Sequence, residues 1–174
     1  MTHPPAWDHV CCGADYAHPW NRLVAGLKFA GRIELASVLA TQLHRAIDLC
    51  GAMSAPDLLV PVPLSSARLA ERGFNQAWEV ARRLARVRGL TARADVLLRP
   101  VDTAHQASLP RAQRATNLQS TFMVDPAWRE RLTGRHVAVL DDVFTTGATA
   151  AEATRALRHV GVREVSVWAV TRTP

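Results

Sequence analysis

The sequence predicts an α/β fold, a central parallel sheet flanked by helices, in a single domain spanning 1–174. Three observations predict it. Helix-like and strand-like stretches alternate along the chain. The strands read as short continuous apolar runs, as expected where both faces of a sheet are covered. Near the C-terminus, strand, helix and strand follow one another within about thirty residues, the size of a βαβ unit.

The elements follow in order. The first fifteen residues, 1–15, are expected to be irregular. Leu35, Val38, Leu39, Gln42, Leu43, Ala46 and Ile47 fall mostly on one helical stripe, and Gly51 suits its end. The run DLLVPVPL at 57–64 reads as a strand that stops at prolines and enters a loop. From Gln76 to Arg88, Ala77, Val80, Ala81, Leu84 and Ala85 share one face, and Gly89 suits a C-cap. Val96, Leu97 and Leu98 form a short strand candidate. The polar, arginine-bearing stretch at 100–117 is expected to be irregular, and 100–125 to form a long flexible loop of the kind that often covers a site. Val137 to Leu140 reads as a buried strand, followed by a Thr/Gly loop. Beyond it lies a helix with Ala150, Ala153, Leu157 and Val160 inward, closed by Gly161. The run VSVWAV at 165–170 is a second apolar strand.

Composition removes several function classes. With 48% hydrophobic and 21% charged residues, the chain is ordinary globular material rather than disordered. No apolar run approaches the ~20 residues of a membrane span. The start, MTHPPAWDHVCC, lacks the basic and apolar segments of a secretory signal, so a cytoplasmic protein is expected. Cys11, Cys12 and Cys50 are then reduced thiols. Net charge is +6, and Lys28 is the only lysine among 21 basic residues. Arginine suits an anionic partner, although surface solvation accounts for most arginines in any chain.

The candidate site lies in VAVLDDVFTTGAT, residues 137–149. Ligands of open parallel sheets bind at the carboxyl ends of strands, where Asp141 and Asp142 are expected. Paired carboxylates there hold a metal or accept hydrogen bonds from hydroxyls. Thr145, Thr146, Gly147, Ala148 and Thr149 follow, ending where the next helix begins. Glycine permits close backbone approach, threonines supply hydroxyls, and the helix N-terminus supplies free N–H groups. Such a loop cradles a phosphate, and a ribose 5-phosphate would match both halves. A nucleotide-hydrolase reading of the same strand needs the lysine of G-x-x-x-x-G-K-[ST], but Lys28 is followed by Phe29.

This motif resembles the 5-phosphoribosyl-1-pyrophosphate (PRPP) signature of type I phosphoribosyltransferases. The chain more narrowly resembles the ComF family, through GLKF at 26–29 with Gly31 and Arg32, VPVPL at 60–64, RGFNQ at 72–76, and Gln106 through Arg114 to Asn117. The resemblance implies a Rossmann-like sheet in the type I phosphoribosyltransferase fold, with 100–125 as a small flexible hood. It implies that Asp141 and Asp142 hold the ribose hydroxyls and that Thr145 to Thr149 hold the 5-phosphate. Pro63, Arg68, Arg72 and Lys28 would meet the pyrophosphate with Mg2+, Arg72 acting with the two aspartates in catalysis. Gln106, Arg111 and Arg114 would face the acceptor. Phe74 is expected in the core.

Members of that family often begin with two C-x-x-C pairs that bind zinc. Here Cys11 and Cys12 are adjacent, with His3, His9 and His18 nearby, and that spacing does not suit a structural site; no zinc is expected. The function implied is phosphoribosyl transfer to an unidentified acceptor with release of pyrophosphate. The alternative is a competence factor that binds single-stranded DNA during natural transformation and uses the phosphoribosyl ligand as a regulator. Aromatics at 6%, with one tyrosine, offer no evident stacking platform for DNA bases. The resemblance also allows a homodimer.

Overall fold

The computed structural model describes residues 5–51, 54–99 and 122–174. In chain order these form β1 (His9–Asp15), α1 (Trp20–Phe29), α2 (Leu35–Leu49), β2 (Leu58–Pro61), α3 (Ser66–Arg72) and α4 (Gln76–Arg88). Then come β3 (Leu97–Leu98), β4 (Met123–Val124), a 3-10 turn at Pro126–Trp128, α5 (Arg129–Leu132), β5 (His136–Phe144), α6 (Ala148–His159) and β6 (Glu164–Arg172). The main sheet has the order β1-β6-β5-β2, and every pairing in it is parallel. The central parallel sheet flanked by helices is therefore as expected.

Side-chain alternation along β5 separates two cores. Ala138 and Leu140 face one way and pack with Leu27, Leu39 and Leu84 of α1, α2 and α4. Val137 and Val139 face the other way, against Ala153 and Leu157 of α6 and Leu97 and Val124 of the small β3–β4 sheet. Period-two alternation thus gives one strand two hydrophobic faces, each covered by helices.

Four expectations are corrected. Residues 9–15 are not irregular: β1 pairs in register with β6 from His9↔Ser166 to Asp15↔Arg172, and Cys11 is buried in the core. The run HVCCGAD has no strong strand signature, and its conformation comes from the neighbouring strand. Residues 122–125 do not belong to a flexible loop. Phe122 is buried, and Leu97↔Val124 and Leu98↔Met123 pair antiparallel. Residues 100–121 lie outside the described residues, and Gln106, Arg111 and Arg114 with them. The loop expected after the VPVPL run contains α3, whose N-terminus is capped by Ser65, which accepts from Arg68 N at 3.4 Å. Gly73 ends α3 at φ 80°, a conformation that favours glycine. Finally, β5 runs to Phe144, so Asp141 and Asp142 sit inside the strand rather than after it.

Candidate active site

Strand β2 ends beside Asp141. Pro61 pairs with Leu140, and Val62 N donates to Leu140 O at 2.8 Å. Proline at 61 and 63 removes the donors that would carry the ladder further, so the chain leaves the sheet and climbs into α3. Asn75 then fixes the return. Its Oδ1 accepts from Ala77 N at 2.9 Å, capping α4, while its Nδ2 donates to Val62 O at 3.0 Å. One side chain therefore starts a helix and ties it to the end of β2. The result is a cleft of about 550 Å³ at the carboxyl end of the sheet.

The cleft brings together most of the residues singled out from sequence. Asp141, Asp142, Thr149, Pro63, Arg68, Arg72 and Lys28 all line it. Phe29, Glu71, Gln76 and Arg99 line it as well, and sequence reasoning passed over them as site residues. Phe29 and Gln76 lie within the GLKF and RGFNQ runs, which was the available signal; Glu71 and Arg99 carried none. Phe74, expected in the core, packs partly against it and also lines the cleft.

The two acids approach each other at the carboxyl end of β5 but rest in different surroundings. Alternation sends Asp142 to the face of Ala138 and Leu140, and Asp141 to the face of Val139. On its face Asp142 is 5% exposed, and Lys28 Nζ of α1 lies 2.9 Å from its Oδ2. That contact compensates charge without the alignment of a directed hydrogen bond, since Oδ2 has no hydrogen-bond partner among the described residues. Asp141 Oδ1 accepts from Asp142 N at 2.8 Å. Burial, followed by the charge of Asp142, holds the Asp141 carboxyl well above the usual carboxylate range.

A stability prediction follows with a definite sign. The folded state binds the Asp141 proton more tightly than the unfolded chain does, so stability falls as pH rises through the raised folded pKa. Asp141→Asn cannot ionise and still offers an oxygen to Asp142 N. It should raise the melting temperature of the ligand-free protein by about 2–6 °C at pH 8, and by little at pH 4. Calorimetry at both pH values checks this, and equal shifts at the two values would contradict it.

The Thr/Gly loop is placed differently within the site. Thr149 lines both the main cleft and a small adjoining hollow, while Thr145 and Gly147 line the hollow alone. Thr146 and Ala148 line neither, although Thr146 Oγ1 accepts weakly from Ala148 N at 3.4 Å. Gly147 occupies the N-cap of α6 at φ 78° with no side-chain cap, which leaves first-turn N–H groups available to an anion. From the N-terminal segment, Trp7 reaches this loop. A Cβ on Gly147 would stand 2.6 Å from the tip of the Trp7 indole, which also meets the Phe144 ring edge-on at 5.6 Å. Nothing in the sequence pointed to Trp7.

Comparison with known proteins assigns the family. No family model matches the chain. The DNA utilization protein YhgH of Salmonella typhimurium is 35% identical over 176 residues, covering 99% of this chain and 76% of that protein. Competence protein F of Haemophilus influenzae is 31% identical, with the same coverage of each chain. The chain belongs to the ComF family. Competence protein ComFC of Bacillus subtilis is a more partial match, 32% identical over 60% of this chain and 39% of its own.

Among solved structures, the ComF chain resembles the glutamine PRPP amidotransferase of B. subtilis. The TM-score is 0.54 at 18% identity, over 78% of this chain and 26% of that one. That similarity concerns the fold, which is the type I phosphoribosyltransferase fold.

Proposed function

We propose that this ComF protein binds PRPP with magnesium and transfers the phosphoribosyl group to an acceptor, releasing pyrophosphate. One observation carries the reading. The cleft sets carboxylates (Asp141, Asp142), a free helix N-terminus (Thr149) and cations on α1 and α3 (Lys28, Arg68, Arg72) around a single volume. A ligand with a diol flanked by two phosphate-bearing ends needs those three kinds of group together.

In the reaction, the acceptor's lone pair forms a bond to the anomeric carbon. The bond from that carbon to the pyrophosphate oxygen breaks, its electron pair leaves with pyrophosphate, and the acceptor's proton passes to solvent. Such displacement needs no protein nucleophile, and the protein contributes positioning and charge stabilisation. Arg68 and Arg72 neutralise the departing pyrophosphate, while Asp141 fixes the ribose through its hydroxyls. When bound with the pyrophosphate, magnesium would spread its charge, and the carboxylate oxygens of Asp141 and Asp142 are donors of the kind that would hold the cation.

The test is a thermal-shift titration of PRPP with magnesium, beside an Asp141→Asn/Asp142→Asn variant. Ligand at 100 times its Kd stabilises by about 2.7 kcal/mol, a shift of roughly 5–10 °C at this size. A shift in the parent protein alone supports the reading; no shift at millimolar ligand overturns it.

The names of the relatives motivate a second reading, in which the chain handles DNA. The +6 net charge suits a polyanion. In that case single-stranded DNA should bind with an affinity that falls steeply with salt and survives loss of Asp141. DNA affinity that disappears with Asp141 would tie the two readings to one site.

A further inference from the structure

The three cysteines of the chain line one groove of about 400 Å³, which shares no lining residue with the cleft. Strand β1 supplies Cys11 and Cys12. Cys50 is the C-cap of α2, its N–H donating to Ala46 O at 2.9 Å. Close packing of α2 on β1 brings them together. Gln42 Nε2 donates to Gly13 O at 2.8 Å, and a Cβ on Gly13 would stand 3.4 Å from Leu43 Cα. Two residues back along β1 and two turns on along α2, Cys11 meets Cys50. The pair is asymmetric. Cys11 is 2% exposed, whereas Cys50 lies open to solvent. Burial, followed by hydrogen-bonding contact with the Cys50 side chain, pushes the Cys11 thiol up and keeps it protonated. Cys12 lines the same groove, but alternation along β1 turns it from the face that Cys11 shares with α2.

We propose that Cys50 and Cys11 form a reversible disulfide site, in which exposed Cys50 meets a small peroxide and buried Cys11 resolves the product. In the first step the Cys50 sulfur bonds to one peroxide oxygen and the O–O bond breaks. The departing hydroxide takes the Cys50 proton and leaves as water. Cys50 is thereby oxidised by two electrons to a sulfenic acid while the peroxide is reduced. In the second step the Cys11 sulfur bonds to Cys50 Sγ and the S–OH bond breaks. Hydroxide again leaves as water, with the Cys11 proton. The open groove admits an oxidant of that size to Cys50. Contact between the two side chains makes the second step intramolecular, so it outruns further oxidation of Cys50. A small thiol reverses the bridge by exchange. The bridge closes a loop of about 40 residues containing α1 and Lys28, and fastens the end of α2 to β1.

The experiment treats the parent, Cys50→Ala and Cys12→Ser proteins with hydrogen peroxide in slight excess, then with dithiothreitol. Free thiols are counted after denaturation, linked peptides are mapped by mass spectrometry without reduction, and melting temperatures are recorded at each stage. The parent should lose two of its three thiols and yield a peptide pair joined through Cys11 and Cys50. Its melting temperature should rise by roughly 5–15 °C and fall back with dithiothreitol. Cys12→Ser should behave as the parent does, and Cys50→Ala should show neither the bridge nor the shift. Cys50 is exposed, so the alanine variant folds, which an unchanged melting temperature before oxidation verifies. Sulfinic acid at Cys50 with Cys11 still reduced overturns the proposal, as does a bridge through Cys12 or between two molecules. A Cys11–Cys50 bridge that lowers the melting temperature also overturns it, because the fold would then not hold the two sulfurs ready to join.

Discussion

Replacing Lys28 with methionine should destabilise the ligand-free protein by about 2–3 kcal/mol. The reason lies in burial. Asp142 has 7% of its side chain exposed, and Lys28 Nζ at 2.9 Å is its charge partner, itself 20% exposed. Removing one member of a buried pair leaves an uncompensated charge, which typically costs 3–5 kcal/mol; access of water to Lys28 reduces the figure here. Methionine keeps the length and apolar character of the stem, so packing loss is small. The double variant Lys28→Met/Asp142→Asn removes both charges and should recover most of the stability. Urea unfolding of the parent, the two single variants and the double variant closes the cycle. A loss below about 0.5 kcal/mol for Lys28→Met would mean that solvent already screens the pair, as it does at exposed ion pairs.

Gly147→Ala should cost about 2–5 kcal/mol and also impair anion binding at the α6 N-terminus. Two separate penalties act. Alanine at φ 78° occupies the left-handed region, at roughly 1–2 kcal/mol. Its Cβ would also stand 2.6 Å from the Trp7 ring and 3.1 Å from that of Phe144, a contact that forces side chains to move at about 1–3 kcal/mol. Trp7→Ala in the same background separates the two. It should relieve the steric part and leave the backbone part, so the double variant should be more stable than the sum of the singles predicts. Additive losses would show that Trp7 is free to move and that it does not brace the loop.

Much of the fold was legible from sequence because it rests on local chemistry. The α4 boundaries agree with the apolar stripe from Ala77 to Ala85 and with Gly89, which adopts φ 66°. The parallel sheet was legible in the uninterrupted apolar runs of β5 and β6, since strands covered on both faces need no alternation. Strand β1 was not legible. The run HVCCGAD acquires its strand conformation from pairing with β6, 157 residues away in sequence, and no local preference announces it. Helix α1, with its sparse stripe of Val24 and Leu27, is helical because both side chains reach the core.

The candidate site divides along the same line. A glycine that must take positive φ, threonines at a helix start and acids after an apolar run are demands of one short segment, so 137–149 could be recognised from residue types alone. Which residues share the cleft with that segment was decided by the tertiary structure. The strand's two-residue period sends Asp141 and Asp142 to opposite faces, and only the packing of α1 puts Lys28 against one of them. Phe29, Glu71, Arg99 and Trp7 enter the site or its support from segments distant in the chain. Charge compensation, steric bracing and the arrangement of a cleft are relations between elements, set by how helices and strands pack, and no single stretch of sequence contains them.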